Sequence, residues 1–324
     1  MFIENLKRRT AMISRVCVLG SINMDVVVRV EKFPIVGETI TGLSCDLMPG
    51  GKGANQAIAV ANMDVPVDLI GALGGDEFGK LLRSHLISAD VDVDAIEQTG
   101  SSSGTAIVAV DDGGNNQIIV IPGSNSLLQR KTIERYLERQ SSAVRYLISQ
   151  FEVPLDHIRY AFSKVKSWGA VTILNPSPMQ PIPHELIEQT DMFVLNELEL
   201  AQAAGMAGTI SSPDEVAQVA LEWARRIGNK IVVVTLGENG LVAIQNGRVI
   251  KQTAQKVSRV VDTTGAGDCF CGSLVAFLHK GYSLNESLIF AQKAAAYSVQ
   301  RKGASPSFPK LDTFNLDKMK GETK

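Results

Sequence analysis

The sequence has few cysteines and few aromatic residues, and neither sign of charge dominates it. Among 324 residues, 32 are basic and 34 are acidic, and aromatic residues make up 6%. The cysteines share no metal-ligand spacing; they are Cys17, Cys45, Cys269 and Cys271. We expect them to be buried thiols in a reducing compartment, the cytoplasm. The balanced charge, without a basic stripe, argues against a nucleic-acid surface, so the expected partners are small molecules.

Long apolar segments are also missing. No run approaches the roughly 20 residues that a membrane helix needs. The first residues are polar and basic, with no apolar core ahead of a cleavage site, so a signal peptide is not indicated. We expect residues 1–12 to be a disordered extension, with translation beginning at either Met1 or Met12. The sequence predicts no membrane association.

Two common nucleotide-binding loops are absent. The glycine-rich stretch from Gly50 to Gly53 lacks the Walker A spacing, and residues 20–25 lack the dinucleotide-binding spacing. The histidines have no cysteine partners and no elbow-type serine motif, which argues against a zinc site and a hydrolase triad. On its own, the stretch at 50–53 is best interpreted as a glycine-rich turn entering a helix.

From residue 130 onward, short apolar strands alternate with amphipathic helices. Strands are predicted at 146–149, 171–174, 192–195 and 231–235, and helices at 155–167, 197–204 and 213–227. This alternation is typical of an α/β fold with a doubly wound, mostly parallel sheet flanked by helices.

A second kind of strand occurs in the first 125 residues, where strands are joined by turns instead of helices. These strands are predicted at 22–30, 38–47, 105–110 and 117–121. The turn at 111–116 consists of Asp, Gly and Asn residues, which favour hairpins. We expect a small β-sheet lid, approximately 22–48 and 103–122, inserted into a domain of residues 13–310 and followed by a C-terminal tail at 311–324.

The stretch from Val261 to Asp268 has the character of an anion-binding turn. Its glycines allow close approach of the backbone, and residues 269–278 have helical length, so free N–H groups would face a ligand. Asp268 is either a helix N-cap or a catalytic carboxylate, and Asp262 is either a turn residue or part of a site. The stretch alone leaves both interpretations open.

Asn196 and Glu199 pose the same question. They lie three residues apart at the start of a predicted helix that follows an apolar strand. This spacing puts them on one helix face, at the edge where open α/β sheets bind ligands. A capping box is at least as common an explanation.

The two glycine-containing motifs, at 50–56 and 262–268, resemble those of the ribokinase-like carbohydrate kinases, the phosphofructokinase-B family. The resemblance covers nearly the whole chain, and residues 75–79 match a further family motif. The stretches most similar to those of ribose-phosphorylating members are 20–25, 175–178, 196–199 and 301–307. The resemblance implies a large α/β domain with a β lid, ATP in a groove of the large domain, and a sugar between domain and lid.

The resemblance also implies roles for individual residues. Asp268 would be the catalytic base, and the N–H groups of Gly265, Ala266 and Gly267 would form an anion hole. The implied sugar contacts are Asn23, Asp25, Gly51, Lys52, Asn55, Glu152 and Asp268. The implied contacts to ATP are Asn196, Thr235, Gly237 and Gly267, with Glu199 organising Mg²⁺ indirectly. An activating K⁺ would lie at Asp262, Thr264, Ser298, Gly303 and Ser307.

The implied activity is ATP-dependent phosphorylation of D-ribose at the 5-hydroxyl, giving ribose 5-phosphate and requiring Mg²⁺ and K⁺. The alternatives are a related acceptor (2-deoxyribose, fructose, a nucleoside or a sugar phosphate) or, from another class, a non-catalytic sugar-sensing protein. Met24 beside the implied sugar contacts could favour a deoxygenated carbon, but alternate strand residues face opposite sides, so it is expected to point away. The free edges of the lid, together with the resemblance, predict a homodimer through the lid.

Overall fold

The computed structural model describes residues 14–206, 208–210 and 212–314. The extension predicted at 1–12 and the last ten residues of the predicted tail lie outside the described residues. Residues 311–314 are described, and Leu311 and Phe314 pack against the hydrophobic core. The packed part of the chain therefore continues beyond the boundary predicted at 310.

The elements follow one another as βαβ units interrupted by strand pairs. In chain order the strands are β1 (Arg15–Leu19), β2 (Asn23–Arg29), β3 (Ser44–Gly50), β4 (Val67–Gly74), β5 (Ile96–Thr99), β6 (Gly104–Val110), β7 (Asn116–Ile121), β8 (Val144–Gln150), β9 (Val171–Asn175), β10 (Met192–Asn196), β11 (Ile231–Thr235), β12 (Leu241–Gln245) and β13 (Arg248–Gln252). The helices are α1 (Lys52–Ala61), α2 (Glu77–Ser88), α3 (Arg130–Gln140), α4 (Leu155–Lys166), α5 (His184–Gln189), α6 (Glu197–Ala204), α7 (Pro213–Arg226), α8 (Ala266–His279) and α9 (Leu284–Ser298). Within the described residues, no helix combines the length and the apolar character needed to cross a membrane.

The large sheet has nine strands in the order β13-β12-β11-β10-β9-β8-β1-β4-β5. The strands from β11 to β5 in this order pair in parallel, and β12 and β13 join antiparallel at one edge. In β1, Val16 and Val18 pack on the side of α1, α2, α8 and α9, whereas Cys17 and Leu19 pack on the side of α3 to α7. Because both faces are covered by helices, the predicted doubly wound fold is confirmed.

The small sheet has four strands in the order β3-β2-β6-β7. Its outer pairs are antiparallel, and the two pairs meet through a parallel contact between β2 and β6. The strand predicted at 38–47 was misplaced: β3 begins at Ser44 and continues to Gly50. The reason is its pairing, since all seven residues of β3 lie opposite β2, from Ser44 with Arg29 to Gly50 with Asn23. This register carries the lid strand directly into the glycine-rich turn before α1.

Several elements were not predicted from the sequence, among them β5 and the hairpin of β12 and β13. The hairpin turns at Asn246 and Gly247, whose φ angles are 51° and 72°. An Asn-Gly pair with two positive φ angles is the strongest short-range hairpin signal, so the sequence did contain the information for this turn.

Candidate active site

Polar residues from distant parts of the chain gather at one edge of the large sheet, where the parallel strands end. Gln150 at the end of β8 lies opposite Asn175 of β9, and Asn196 of β10 lies opposite Thr235 of β11. A cleft lies over this edge and is lined by Lys52, Asn175, Ser177, Val194, Leu195, Asn196, Glu199, Thr235, Gly265, Gly267 and Asp268. Ligands of open α/β sheets bind in this position. The structure thus brings residues of both glycine-containing motifs to one place.

The turn at 262–268 enters α8 through a left-handed glycine. Gly265 is the N-cap, with φ 73°, and a Cβ atom there would lie 2.8 Å from the Cβ of Ala304. Asp268 is therefore not the N-cap, as one interpretation had it, but lies within the first turn of α8. The N–H of Ala266, one of three assigned to an anion hole, donates to the carbonyl of Thr263 at 3.2 Å. Gly265 and Gly267 line the cleft, whereas Ala266 does not, so the N–H groups of the two glycines fit the anion-hole assignment better.

Two amides of α1 hold the Asp268 carboxylate. Its Oδ2 accepts a hydrogen bond from Asn55 Nδ2 at 3.0 Å, and its Oδ1 accepts one from Gln56 Nε2 at 2.9 Å. The residue is only 7% exposed, yet it lines the cleft. A carboxylate held in this way and facing a cleft is suited to accept a proton from a bound hydroxyl group.

The sequence reasoning did not identify Gln56, which belongs to a chain of amides beneath the cleft. Its Nε2 also donates to Asn175 Oδ1 at 3.1 Å, and its Oε1 accepts from Gln150 Nε2 at 2.5 Å. Asn175 Nδ2 in turn donates to the carbonyl of Val194 at 2.9 Å. These bonds tie α1 to β8, β9 and β10. Gln56 lies inside a recognised motif, but its spacing alone does not distinguish it from its neighbours.

The lid contributes polar groups from one face of β2. Asn23 is 4% exposed, and its Oδ1 accepts from Asn125 Nδ2 at 2.7 Å. Asn125, which the sequence reasoning missed, is itself fixed because its Oδ1 accepts from the N–H of Ile22 at 2.9 Å. The side-chain amide nitrogen of Asn23 is thus the group available to a ligand. Met24 packs into the hydrophobic core, so it faces away from the site as expected.

Glu152, just beyond β8, contacts the segment between β1 and β2 and the start of α1. Its Oε2 accepts hydrogen bonds from the Ser21 hydroxyl and from the N–H of Lys52, the latter at 3.3 Å. Gly51 has φ 90°, and a Cβ atom there would lie 2.7 Å from the backbone nitrogen of Asn23. Glycine at this position therefore allows the lid strand to lie against the start of α1.

Carboxylates and one ammonium group share the site. Burial, together with the charges of Glu152 and Asp268, raises the pKa of Asp25 to about 7. Burial lowers the pKa of Lys52, but nearby carboxylates outweigh this effect and hold the pKa above its ordinary value. These carboxylates are Asp268, Glu152 and Glu199. Lys52 is therefore a cation at neutral pH, suited to an anionic ligand in the cleft.

Asn196 and Glu199 form a capping box at the start of α6. The Asn196 N–H donates to Glu199 Oε2 at 2.9 Å, and the Glu199 N–H donates to Asn196 Oδ1 at 2.8 Å. Both residues also line the cleft, so the capping and ligand-binding interpretations are compatible. Oε2 caps the helix, which makes Oε1 the oxygen available to a metal ion. One carboxylate oxygen beside an open cleft fits hydrated Mg²⁺, which keeps much of its water.

The remaining residues assigned to the nucleotide lie at the end of β11. The Thr235 hydroxyl donates to the carbonyl of Leu195 at 3.3 Å, and Thr235 lines the cleft. Gly237 begins a short 3₁₀ turn, Gly237–Asn239, with φ 55°, and lies beyond the cleft lining. The structure therefore brings Thr235, and not Gly237, into the cleft.

Asp262 joins two loops beside the start of α8. Its Oδ1 accepts from the N–H and hydroxyl of Thr264 at 2.9 and 2.6 Å, and its Oδ2 accepts from the N–H of Gly303 at 2.8 Å. Burial raises the pKa of Asp262, but these hydrogen bonds and the charge of Lys302 outweigh it and hold the pKa below its usual range. Asp262 is therefore a carboxylate at neutral pH.

Of the other residues assigned to K⁺, Ser298 ends α9, and Ser307 lies in the segment after α9 that also holds Gly303, which Asp262 reaches. The hydroxyl of Ser298 donates to the carbonyl of Ala295 at 2.8 Å, and that of Ser307 donates to the carbonyl of Ala304 at 2.7 Å. Carboxylate, hydroxyl and carbonyl oxygens are the ligands that hard cations take, so the donor set fits K⁺. Within the described ranges, no group of three or more His, Cys, Asp or Glu residues could hold a metal ion.

Comparisons with known proteins agree with this geometry. The family described as pfkB family carbohydrate kinase matches residues 13–311. The chain is 36% identical to a ribokinase of Schizosaccharomyces pombe, covering 94% of this chain and 98% of that protein. It is 35% identical to a ribokinase of Haemophilus influenzae, covering 90% and 94%. The structure of Arabidopsis thaliana ribokinase complexed with ribose and ATP superposes with a TM-score of 0.86 at 33% identity, covering 95% of this chain and 99% of that one.

Proposed function

The chain belongs to the pfkB family of carbohydrate kinases, and from this premise we propose that it transfers the γ-phosphoryl group of ATP to the 5-hydroxyl of D-ribose. The observation that carries the proposal is Asp268, a carboxylate held by two amides in the first turn of α8 and facing the cleft. Relatives named ribokinase that match 90% or more of the chain support ribose as the acceptor. The product would be ribose 5-phosphate.

In the proposed reaction, Asp268 accepts the proton of the 5-hydroxyl while the hydroxyl oxygen bonds to the γ-phosphorus. The bond from this phosphorus to the bridging oxygen breaks, and ADP leaves with the bond electrons. Charge on the transferring group would be stabilised by the first-turn N–H groups of α8, assigned to Gly265, Ala266 and Gly267, and by Lys52. The Ala266 N–H would first have to leave the carbonyl of Thr263, which makes Gly265 and Gly267 the principal donors.

The sugar would lie between the lid and the large sheet. Asp25 and Glu152 supply acceptors, and the amide groups of Asn23 and Asn55 supply donors, an array that suits a polyol. Gly51 and Lys52 complete the sugar contacts. The sugar would then lie beside Asp268, because Asn55 is bonded to that carboxylate.

The residues assigned to cofactors form two groups, one for ATP with Mg²⁺ and one for K⁺. Asn196, Thr235 and Gly267 line the cleft and would contact ATP, whereas Gly237 would contact a part of ATP that extends beyond the cleft lining. Glu199 would organise Mg²⁺ through water. Asp262, Thr264, Ser298, Gly303 and Ser307 would hold K⁺. When bound, Mg²⁺ would neutralise phosphate charge, and K⁺ would add a positive charge next to the turn that leads into α8.

We also propose a homodimer formed through the small sheet. All six residues of its edge strand β7 are exposed. The most exposed apolar side chains of β7 are Ile118, Ile119 and Val120, at 57, 62 and 51%. A long, apolar, unprotected edge strand pairs readily with another chain, here a second copy.

All four cysteines are free thiols, which fits the reducing cytoplasm.

A coupled assay of ADP release over a panel of acceptors tests the proposed reaction. The panel contains ribose, 2-deoxyribose, fructose, pseudouridine and adenosine, each with ATP, Mg²⁺ and K⁺. Ribose should give the highest kcat/KM. A higher value for another acceptor would reassign the substrate, and no release above that with ATP alone would favour a sugar-sensing protein.

A further inference from the structure

We propose that Gln56 is a positioning residue for the catalytic base. It holds one oxygen of the Asp268 carboxylate so that the other faces the acceptor hydroxyl, without itself touching substrate. This inference rests on the proposed function, because it assumes that Asp268 is the base. The motif spacing assigns no role to Gln56. The role is inferred from the hydrogen bonds of its buried amide.

The burial of Gln56 excludes a direct role in substrate binding. Its relative exposure is 0%, and it lies beneath the cleft instead of lining it. The helix that carries it is held tightly against α8. A Cβ atom at Gly272 would lie 2.4 Å from the Gln56 carbonyl oxygen, so the two backbones are in close contact. The distance from Gln56 to Asp268 is therefore set by helix packing.

The orientation of the Gln56 amide is fixed by its partners. Its nitrogen faces two acceptors, Asp268 Oδ1 at 2.9 Å and Asn175 Oδ1 at 3.1 Å. Its oxygen accepts from Gln150 Nε2 at 2.5 Å. A flipped amide would bring its oxygen against a carboxylate oxygen and its nitrogen against another N–H group. Gln150 thus holds Gln56 in the one orientation that donates to the base.

The two amides of α1 act together on the Asp268 carboxylate, one on each oxygen. Asn55 alone would hold only Oδ2 of Asp268 and would leave the carboxylate free to rotate. Two bonds fix its plane, which in-line transfer to a hydroxyl requires.

The experiment compares Gln56→Met with the wild-type protein. Methionine keeps the length of the side chain and removes both the nitrogen and the oxygen of its amide group. We expect kcat to fall roughly 10- to 100-fold, the effect of losing one hydrogen bond to a charged group. KM for the acceptor should change less than about twofold, because Gln56 does not reach the sugar. A crystal structure of the variant should show Asp268 in more than one rotamer.

Thr190→Val is the matched control. Thr190 is also fully buried, and its hydroxyl donates to the carbonyl of Leu186 at 2.7 Å, at the opposite edge of the sheet. This variant should lose stability while its kcat stays within about twofold of wild type. If Gln56→Met behaves in the same way, or if Asp268 keeps a single rotamer, the positioning role is wrong.

Gln150→Met supplies a second test, because it removes the hydrogen bond from Gln150 that orients Gln56. This variant tests the positioning role of Gln56 even if Gln56→Met does not fold. We expect a smaller fall in kcat, about 3- to 10-fold, again without a rise in KM. An unchanged kcat would overturn the proposed chain from Gln150 to Asp268. The rotamer of Asp268 is observed in a crystal structure and does not depend on turnover. If the ribose assay fails but the variants change this rotamer, the proposed function is wrong and the positioning role of Gln56 stands.

Discussion

The two sheets of this protein differ in how they are covered. Every residue of β4, in the large sheet, is buried, whereas every residue of β7, in the small sheet, is exposed. Helices pack on both faces of the large sheet. A strand covered on both faces has little freedom to shift, because each side chain is packed against fixed neighbours. An exposed edge strand has no such restraint.

The two sheets also supply different parts of the site. The large sheet and its helices position Asp268 and Glu199, which are assigned to phosphoryl transfer, and Lys52, which is assigned to both the sugar and the phosphoryl group. β2 of the small sheet supplies Asn23 and Asp25 for the sugar. Chemistry that requires atoms in fixed positions thus lies on the rigid sheet. We infer that changes in the large sheet affect mainly kcat, and that changes in the small sheet affect KM or assembly.

The largest effect is expected for Asp268→Asn, which removes the proposed base from α8, a helix packed on the large sheet. Asparagine preserves the size of the side chain but cannot take a proton, so kcat should fall about 1,000-fold or more. The Kd for ATP, measured by calorimetry, should change little. Asp112→Asn, at an exposed turn of the small sheet, is the control and should keep wild-type kcat. A kcat within tenfold of wild type in Asp268→Asn would show that another group is the base.

The next largest effect is expected for Gly265→Ala at the start of α8. The substitution forces alanine into a left-handed conformation and places its Cβ 2.8 Å from that of Ala304. The free energy of unfolding should fall by about 2 kcal/mol, measured with urea, and kcat should fall by roughly 100-fold. Gly267→Ala is the matched comparison, because a Cβ there meets no atom within 4 Å. Equal stability of the two variants would contradict the explanation.

Much of the large sheet could be predicted because its signals are local. The helix at Glu197–Ala204 was predicted with these bounds, and it is capped by the side chain of Asn196 immediately before it. Apolar strands of five residues, such as Ile231–Thr235, stand out in the same way. A local pattern suffices where the local structure is regular.

The contacts within the site could not be predicted from local patterns. Asn55 and Asp268 are 213 residues apart in sequence, and Asn23 and Asn125 are 102 apart. Family resemblance linked the first pair, because both members lie in recognised motifs. Nothing linked the second, because Asn125 lies in a short turn whose composition is ordinary. Pairings of this kind depend on the fold as a whole.

The pH dependence of ribose binding should report on the small sheet. The pKa of Asp25 is raised from 3.8 to about 7, so its carboxylate is lost as the pH falls below 7. KM for ribose should be roughly tenfold higher at pH 6 than at pH 8, with a smaller change in kcat. In Asp25→Asn, KM at pH 8 should be about 10- to 100-fold higher than that of wild type. Because the variant lacks this carboxyl group, its KM should not show the tenfold change between pH 6 and pH 8. The same pH dependence of KM in both proteins would exclude Asp25 as its source.

Asp25 should also make the free energy of unfolding depend on pH, in a direction that follows from its raised pKa. Since its pKa is raised in the folded state, the folded protein holds a proton that the unfolded chain releases between pH 3.8 and about 7. This contribution to stability is present at low pH and is lost as the pH rises through that range. Asp25→Asn should therefore gain stability relative to wild type as the pH rises from 5 to 8. Urea unfolding at both values measures the difference, and a gain at pH 5 equal to that at pH 8 would contradict the assigned shift.

The smallest effect on catalysis is expected for Ile119→Lys on the exposed edge strand. A lysine on β7 should prevent pairing of two edges, so light scattering at micromolar concentration should show a monomer where the wild type is a dimer. kcat should stay within about threefold of wild type, because β7 supplies none of the assigned site residues. Ile87→Lys, on α2 of the large domain, is the matched control, since Ile87 and Ile119 are 55% and 62% exposed. If both lysine variants remain dimers, the copies associate through another surface, and the exposed side chains of β7 require a different explanation.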